Sequence, residues 1–187
     1  MTVRELGPLA PLVGVWEGDK GHDISPSEDR GTGDNKFRER IVFEEIGDVD
    51  NHEQLLYGLR YQTTVWPIGK EDPFHEEVGY WLWDAKEKQA MKCFIVPRGV
   101  NVIAGGTVEP DSRSFDLAAE AGSDTYGICS NKFLIKEFKT TKYELNITIH
   151  DENSFSYKEN TIIKMKGRDE LFNHTDENTL RRVGTAK

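Results

Sequence analysis

Five histidines are the side chains of this sequence best suited to bind a metal ion or to move a proton. They are His22, His52, His75, His150 and His174. No two of them have the spacing of a helical metal site, and no Cys-x-x-Cys pair is present, so a structural zinc site is not expected. His52 and His150 adjoin polar turns, and His22 lies in a polar stretch, so these three are predicted to be solvated.

Nucleophilic catalysis has no signature in the sequence. Ser25, Ser27 and Ser130 lack the Gly-x-Ser-x-Gly setting of a nucleophile elbow. Gly105-Gly106 lies inside a strand pattern with no helix after it, so it predicts a bulge or a close backbone approach and not a phosphate loop.

Two of the histidines have neighbours that could form a site. His75 shares one face of a predicted strand with Glu77, Trp81 and Trp83, and the pattern leaves open whether that face points inward. His174 follows Leu171-Phe172 at a junction just ahead of the predicted last strand, 178–183. By itself such a histidine is typical of a packed or solvated side chain.

The elements that must position these residues are β-strands. Apolar and polar residues alternate through most of the chain, as in Phe37, Glu39, Ile41 and Phe43, and helical periodicity is almost absent. About ten strands joined by short turns predict an all-β fold, either a sandwich or an antiparallel up-and-down barrel. The turn spacing favours the barrel, similar to those of fatty-acid-binding proteins and lipocalins, and closure would remove the exposed strand edges, although the pattern alone does not establish closure. Such a barrel can enclose one small ligand. The two prolines in 6–12 favour a short helical turn that plugs one end.

Length and composition predict one domain covering residues 1–187, without a membrane-spanning helix. The polar, Gly-rich stretch Lys20–Lys36 is predicted to be a long mobile surface loop. The net charge is −9 and basic residues are scattered, which disfavours nucleic acid and membranes as partners. Two cysteines, Cys93 and Cys129, cannot form a disulfide framework, and residues 1–15 lack the features of a signal peptide, so we expect a cytoplasmic protein.

Three stretches resemble the nitrobindin family of haem-binding β-barrels. The sequence from Leu9 to Gly18 is similar to that family's Leu-x-x-Leu-x-Gly-x-Trp-x-Gly start. His75-Glu76-Glu77-Val78-Gly79-Tyr80 is similar to its His-x-Glu-x-Gly-Tyr strand, and Leu171-Phe172-Asn173-His174 with Thr179-Leu180-Arg181-Arg182 is similar to its C-terminal segment. The motifs occur in the family's order across the whole chain. One difference is that 18–27 lacks the family's Tyr-Pro-Thr-Ile run.

The resemblance implies that the barrel binds haem b, with His174 as the proximal ligand of the ferric iron and His75 on the distal side. It also implies binding of nitric oxide and isomerisation of peroxynitrite. The expected partner is a small apolar or planar ligand, and the formation of a homodimer is left open. Two alternatives remain at this point: a carrier for a fatty acid or similar apolar molecule without haem, and a barrel with a collapsed interior that serves in protein contacts.

Overall fold

The strands form one continuous sheet in the computed structural model, which describes residues 5–186. The strand bounds are β1 Gly14–Pro26, β2 Thr32–Asp50, β3 Leu55–Pro67, β4 His75–Asp84, β5 Gln89–Val96, β6 Val100–Thr107, β7 Ser114–Glu120, β8 Ile128–Ser130, β9 Phe138–Asp151, β10 Ser154–Met165 and β11 Phe172–Gly184. A 3-10 helix, Gly7–Leu12, precedes them, and a short helix α1, Lys132–Glu137, lies between β8 and β9.

The sheet closes into a barrel of antiparallel strands. Each strand from β1 to β5 pairs with the next, β5 pairs with β6, and the circuit returns through β7, β9, β10 and β11 to β1. Ten strands therefore form the barrel, and the short β8 is an additional strand that pairs with β6. The predicted all-β, ten-stranded barrel is confirmed.

The prediction of a loop from Lys20 to Lys36 is wrong. β1 and β2 extend through this stretch, and only residues 27–31 connect them. A register shift between Gly18 and Gly21 interrupts the alternation, and the inward position 23 carries a buried aspartate in place of an apolar residue. Both features conceal the period-two pattern, so the stretch has a loop-like composition although it pairs as a regular strand.

The two ends of the barrel differ. Leu9 and Leu12 of the 3-10 helix are fully buried, and the indole of Trp16 donates a hydrogen bond to the Leu12 carbonyl at 2.7 Å, so this helix closes one end. The other end is surrounded by five open-end segments, 27–31, 68–74, 97–99, 131–137 and 166–171, of which the first four contribute residues to the cavity lining. Among the described residues, no helix has the length and apolar character needed to cross a membrane.

Candidate functional site

A cavity of about 820 Å³ lies inside the barrel. The inward residues of β4 give its depth: His75 is at the open end, Glu77 lies one inward position deeper, and Trp81 follows before Trp83 reaches the closed end beside the 3-10 helix. This is the face that the sequence left undecided, and it points inward.

His174 lies within β11 and not at a junction before the last strand, because β11 begins at Phe172. Its side chain faces the cavity at the open end. Nε2 donates a hydrogen bond to Oδ1 of Asp23 at 2.9 Å and lies 3.3 Å from Oδ2 of Asp176. Burial lowers the pKa of His174, but the hydrogen bond to Asp23 and the nearby carboxylates outweigh it and raise the pKa. The imidazole therefore keeps its proton to a higher pH than a free histidine does.

The two aspartates beside His174 differ in their protonation. Burial raises the pKa of Asp23, yet hydrogen bonds from His174, Ser25 and Asn35 hold it down at about 2. Burial raises the pKa of Asp176, with Glu159 and Asp23 adding repulsion. One nitrogen or oxygen atom from each of Asp23, His174 and Asp176 lies within 4.8 Å of the others. The low pKa of Asp23 makes it the ionised partner of the His174 ring.

His75 occupies the open end on the far wall of the barrel. Its strand, β4, is separated from β11 by β3, β2 and β1 on the shorter way round the ring. Nε2 of His75 lies 3.4 Å from Oε1 of Glu77. Burial lowers the pKa of His75, but Glu77, Glu159 and Asp176 outweigh it and raise the pKa. Because Asp176 acts on both histidines, the two sites share one electrostatic field.

A buried ion network crosses the middle of the cavity. The Lys92 ammonium, 5% exposed, lies 3.0 Å from Oε2 of Glu77 and 3.6 Å from Oε2 of Glu159, and it donates to the Tyr143 hydroxyl at 2.9 Å. Tyr143 in turn donates to Glu159 at 2.7 Å. The aromatic ring of Phe94 lies 4.2 Å from the ammonium. Such a network fixes a charge pattern inside the barrel that a simple apolar cavity lacks.

The carboxyl group of Glu39 is a further buried acid in the cavity lining. It is 5% exposed, and its Oε2 accepts hydrogen bonds from the Tyr157 hydroxyl at 3.0 Å and from Nδ2 of Asn178 at 3.1 Å. Burial raises the pKa of Glu39 to about 7, against the effect of those bonds. This group therefore holds a proton part of the time near neutral pH.

One donor in the cavity lining has no partner. The Nε1 atom of Trp81 is buried and makes no hydrogen bond with the described residues, although buried donors are normally paired. The Trp81 ring packs edge-on against Phe43 and Tyr61, and together they form an aromatic floor. An unpaired donor on the wall of a cavity indicates that a bound molecule or a water accepts from it.

Sequence reasoning found some of these residues and missed others. His75, Glu77 and His174 are brought to one cavity, whereas the remaining histidines are not among its lining residues. Glu39 had a signal, because it interrupts an apolar face between Phe37 and Ile41. Lys92 interrupts the face of Ala90 and Phe94 in the same way, but the opposite face of β5 is apolar as well, so the alternation does not decide which face points inward.

The comparisons with known proteins agree with this architecture. Residues 5–182 match the model of the THAP4-like, heme-binding beta-barrel domain. Among solved structures, the crystal structure of Rv2717c from M. tuberculosis superposes with a TM-score of 0.65 at 19% identity, covering 94% of each chain, which shows the shared fold. No curated protein matches the sequence significantly. Because the family model spans nearly the whole chain, the protein belongs to the THAP4-like haem-binding β-barrel family, the nitrobindin family that its motifs resemble.

Proposed function

We propose that the cavity binds haem b, with His174 as the axial ligand of a ferric iron and His75 on the opposite wall. The observation that carries this proposal is the Asp23–His174 pair at the open end of a cavity of about 820 Å³. Histidines that ligate metals commonly have one ring nitrogen hydrogen-bonded to a carboxylate, which fixes the ring and raises its basicity. The other nitrogen of His174, Nδ1, has no hydrogen-bond partner among residues 5–186.

Several features of the walls support a planar macrocycle at the open end. Phe37, Val65, Phe74, Phe138 and Ile163 line this part of the cavity and offer apolar contact. The volume lies within the range of cofactor sites in proteins. The unpaired Nε1 of Trp81 also favours an occupied cavity, as does the family to which the chain belongs.

We further propose nitric oxide and peroxynitrite as reactants, which the family resemblance implies. When bound, the haem supplies the redox chemistry and an open coordination position for a small molecule. The chain's own residues orient the reactant and hold a proton close to it. His75, next to Glu77, can hold a proton at Nε2. The aromatic floor offers apolar contact to the bound group.

A titration of haem into the purified protein, followed by the Soret band, tests this function. We expect wild type to bind, His174→Ala to lose affinity by about a hundredfold or more, and His75→Ala to keep most of its haem while its reaction with peroxynitrite changes. His150→Ala is the matched control, because His150 is exposed and its side chain bonds to Ser156 alone among the described residues. Removal of His174 leaves the buried Asp23 without one of its hydrogen-bond partners and could destabilise the fold. Circular dichroism therefore has to show that each variant is folded before the affinities are compared. Equal curves for wild type and His174→Ala would contradict the axial role.

A second candidate is a carrier for another small molecule without haem. The observation that favours it is the charged centre of the cavity, where Glu77, Lys92 and Glu159 are buried together. An acyl chain would find no apolar path past these groups, so this ligand would carry its own polar atoms and one acceptor for Trp81. A wild type without a Soret band, combined with a small molecule extracted from the purified protein, would favour this candidate.

A further inference from the structure

The most exposed large apolar side chains surround the entrance of the cavity. Within residues 5–186, five of the six with the highest exposure lie in the open-end segments, and we call these five the apolar rim. They are Ile68 at 51%, Phe74 at 54%, Phe133 at 59%, Ile135 at 49% and Leu171 at 53%. Exposed apolar groups that occur together around an opening mark an interaction surface more strongly than isolated ones do.

The rim consists of separated projections and not of a continuous patch. Its members come from three segments: the β3–β4 connection, helix α1 and the β10–β11 connection. The cavity opens among these segments, so a protein partner would find no flat apolar area at the centre of the contact. A fluid bilayer can accommodate separate side chains that each enter the interface region.

Helix α1 shows the arrangement most clearly. Leu134 points into the cavity, while Phe133 and Ile135 are exposed between Lys132 and Lys136, which are exposed as well. Apolar side chains flanked by lysines are typical of segments that lie at a membrane surface, where the ammonium groups reach the lipid phosphates.

The charge of the molecule is distributed unequally along the barrel. The five open-end segments contain seven basic and seven acidic residues and are neutral, so the whole net charge of −9 belongs to the rest of the chain. An anionic surface would therefore repel the closed end and the side walls more than the open end, and it would orient the entrance towards itself. The basic residues are scattered in the sequence, and the fold brings part of them to one end.

We propose that the open end of the barrel docks on a bilayer containing anionic phospholipid, with the apolar rim entering the headgroup region and the cavity facing the membrane. Docking in this orientation places the entrance where a poorly soluble ligand would be exchanged. The proposal needs no haem, because every residue that carries it belongs to the protein alone.

Flotation of the full chain with lipid vesicles tests the proposal. We expect binding to phosphatidylcholine vesicles that contain phosphatidylserine, weaker binding without phosphatidylserine, and a loss of at least about tenfold in the double variant Phe133→Ser/Ile135→Ser. The matched control is Val78→Ser/Ile103→Ser, which removes two similarly exposed apolar side chains from the side wall and should stay within about twofold of wild type.

Three results would overturn docking: no binding of wild type to either vesicle, equal losses in the rim and control variants, or full binding by the rim variant with complete loss in Lys132→Ser/Lys136→Ser, which would show adhesion by charge alone. Wild type that ignores vesicles but self-associates would assign the rim to a second copy of the chain. The haem titration is independent of all these outcomes, so a failure of docking and a failure of the proposed function are distinguishable.

Discussion

Ionisable side chains inside this barrel cost stability, and their cost is informative. Glu77 and Lys92 are 7% and 5% exposed, and transferring each ion from water into the interior costs several kcal/mol before pairing is counted. An apolar pair of similar volume would pack as well or better. Burial raises the pKa of Glu77, and the adjacent Lys92 and His75 reverse that effect and lower it. The charges are therefore better explained as part of a binding site than as part of a packed core.

Glu39 makes stability depend on pH in a predictable direction. Its pKa is about 7 in the folded chain because of burial, against an ordinary carboxyl value near 4.5. A raised pKa in the folded state means that the stabilising contribution is complete below about pH 4.5 and is lost as pH rises through 7. Glu39→Gln keeps an oxygen acceptor for Tyr157 and Asn178 and removes the charge. The variant should exceed wild type by less than about 1 kcal/mol at pH 5 and by about 3 kcal/mol at pH 8.

Urea unfolding at the two pH values measures this effect. Glu45→Gln is the matched control, because Glu45 lies on the same strand and is exposed. It should not change the difference in stability between pH 5 and pH 8. An unchanged pH dependence in Glu39→Gln would show that the carboxyl group of Glu39 is ionised throughout this range.

At the scale of elements, the β1–β2 pair depends on one close approach. Gly21 lies at the end of the β1 register shift, and the ring of Phe37, 2% exposed, covers its α-carbon. A methyl group on Gly21 would overlap this ring, so the aromatic side chain or the strand would have to move. The bulge therefore requires glycine at this position for reasons of space.

Gly21→Ala is expected to destabilise the protein by about 1–3 kcal/mol, because it adds volume to a packed site. Gly184→Ala is the control: a methyl group there would lie 3.8 Å from the nearest atom of Val15, an ordinary contact, and should change stability little. Denaturant unfolding of both variants checks the difference. Similar values for the two would mean that Phe37 moves aside at no cost.

These two strands also show what the sequence could reveal. Alternation in β2, β9 and β10 predicted the barrel, because each inward face is apolar enough to stand out. The stretch from Gly18 to Asp23 did not, since its inward positions carry glycine and a carboxyl group. The motifs located His75 and His174 without revealing their partners. Asp23 is 151 residues from His174 in sequence, and only the β1–β11 pairing brings them together.

At the scale of the whole molecule, the barrel has one weak seam. β6 and β7 share a single register pair, Gly105 with Ala118, whereas β6 pairs with β5 over eight positions and β7 with β9 over seven. The segment between β7 and β8 covers the gap. The Tyr126 ring lies against Gly105, and its hydroxyl donates to Oε1 of Gln89 at 2.8 Å. Closure of the barrel thus depends on a side chain as well as on strand pairing.

The native barrel is expected to open first at the seam. Opening there breaks fewer hydrogen bonds and buried contacts than elsewhere, so it costs less free energy. Tyr126→Ala removes the cover of Gly105 and the bond to Gln89. Hydrogen exchange followed by mass spectrometry should then show faster exchange in β6 and β7, by about tenfold. β2 and β3, which pair over thirteen positions, should keep their wild-type rates. Tyr80→Ala, which removes an exposed ring from the side wall, should leave both regions unchanged. Uniform acceleration throughout the barrel in Tyr126→Ala would show that the seam opens only with global unfolding, and that the ten strands form one cooperative unit.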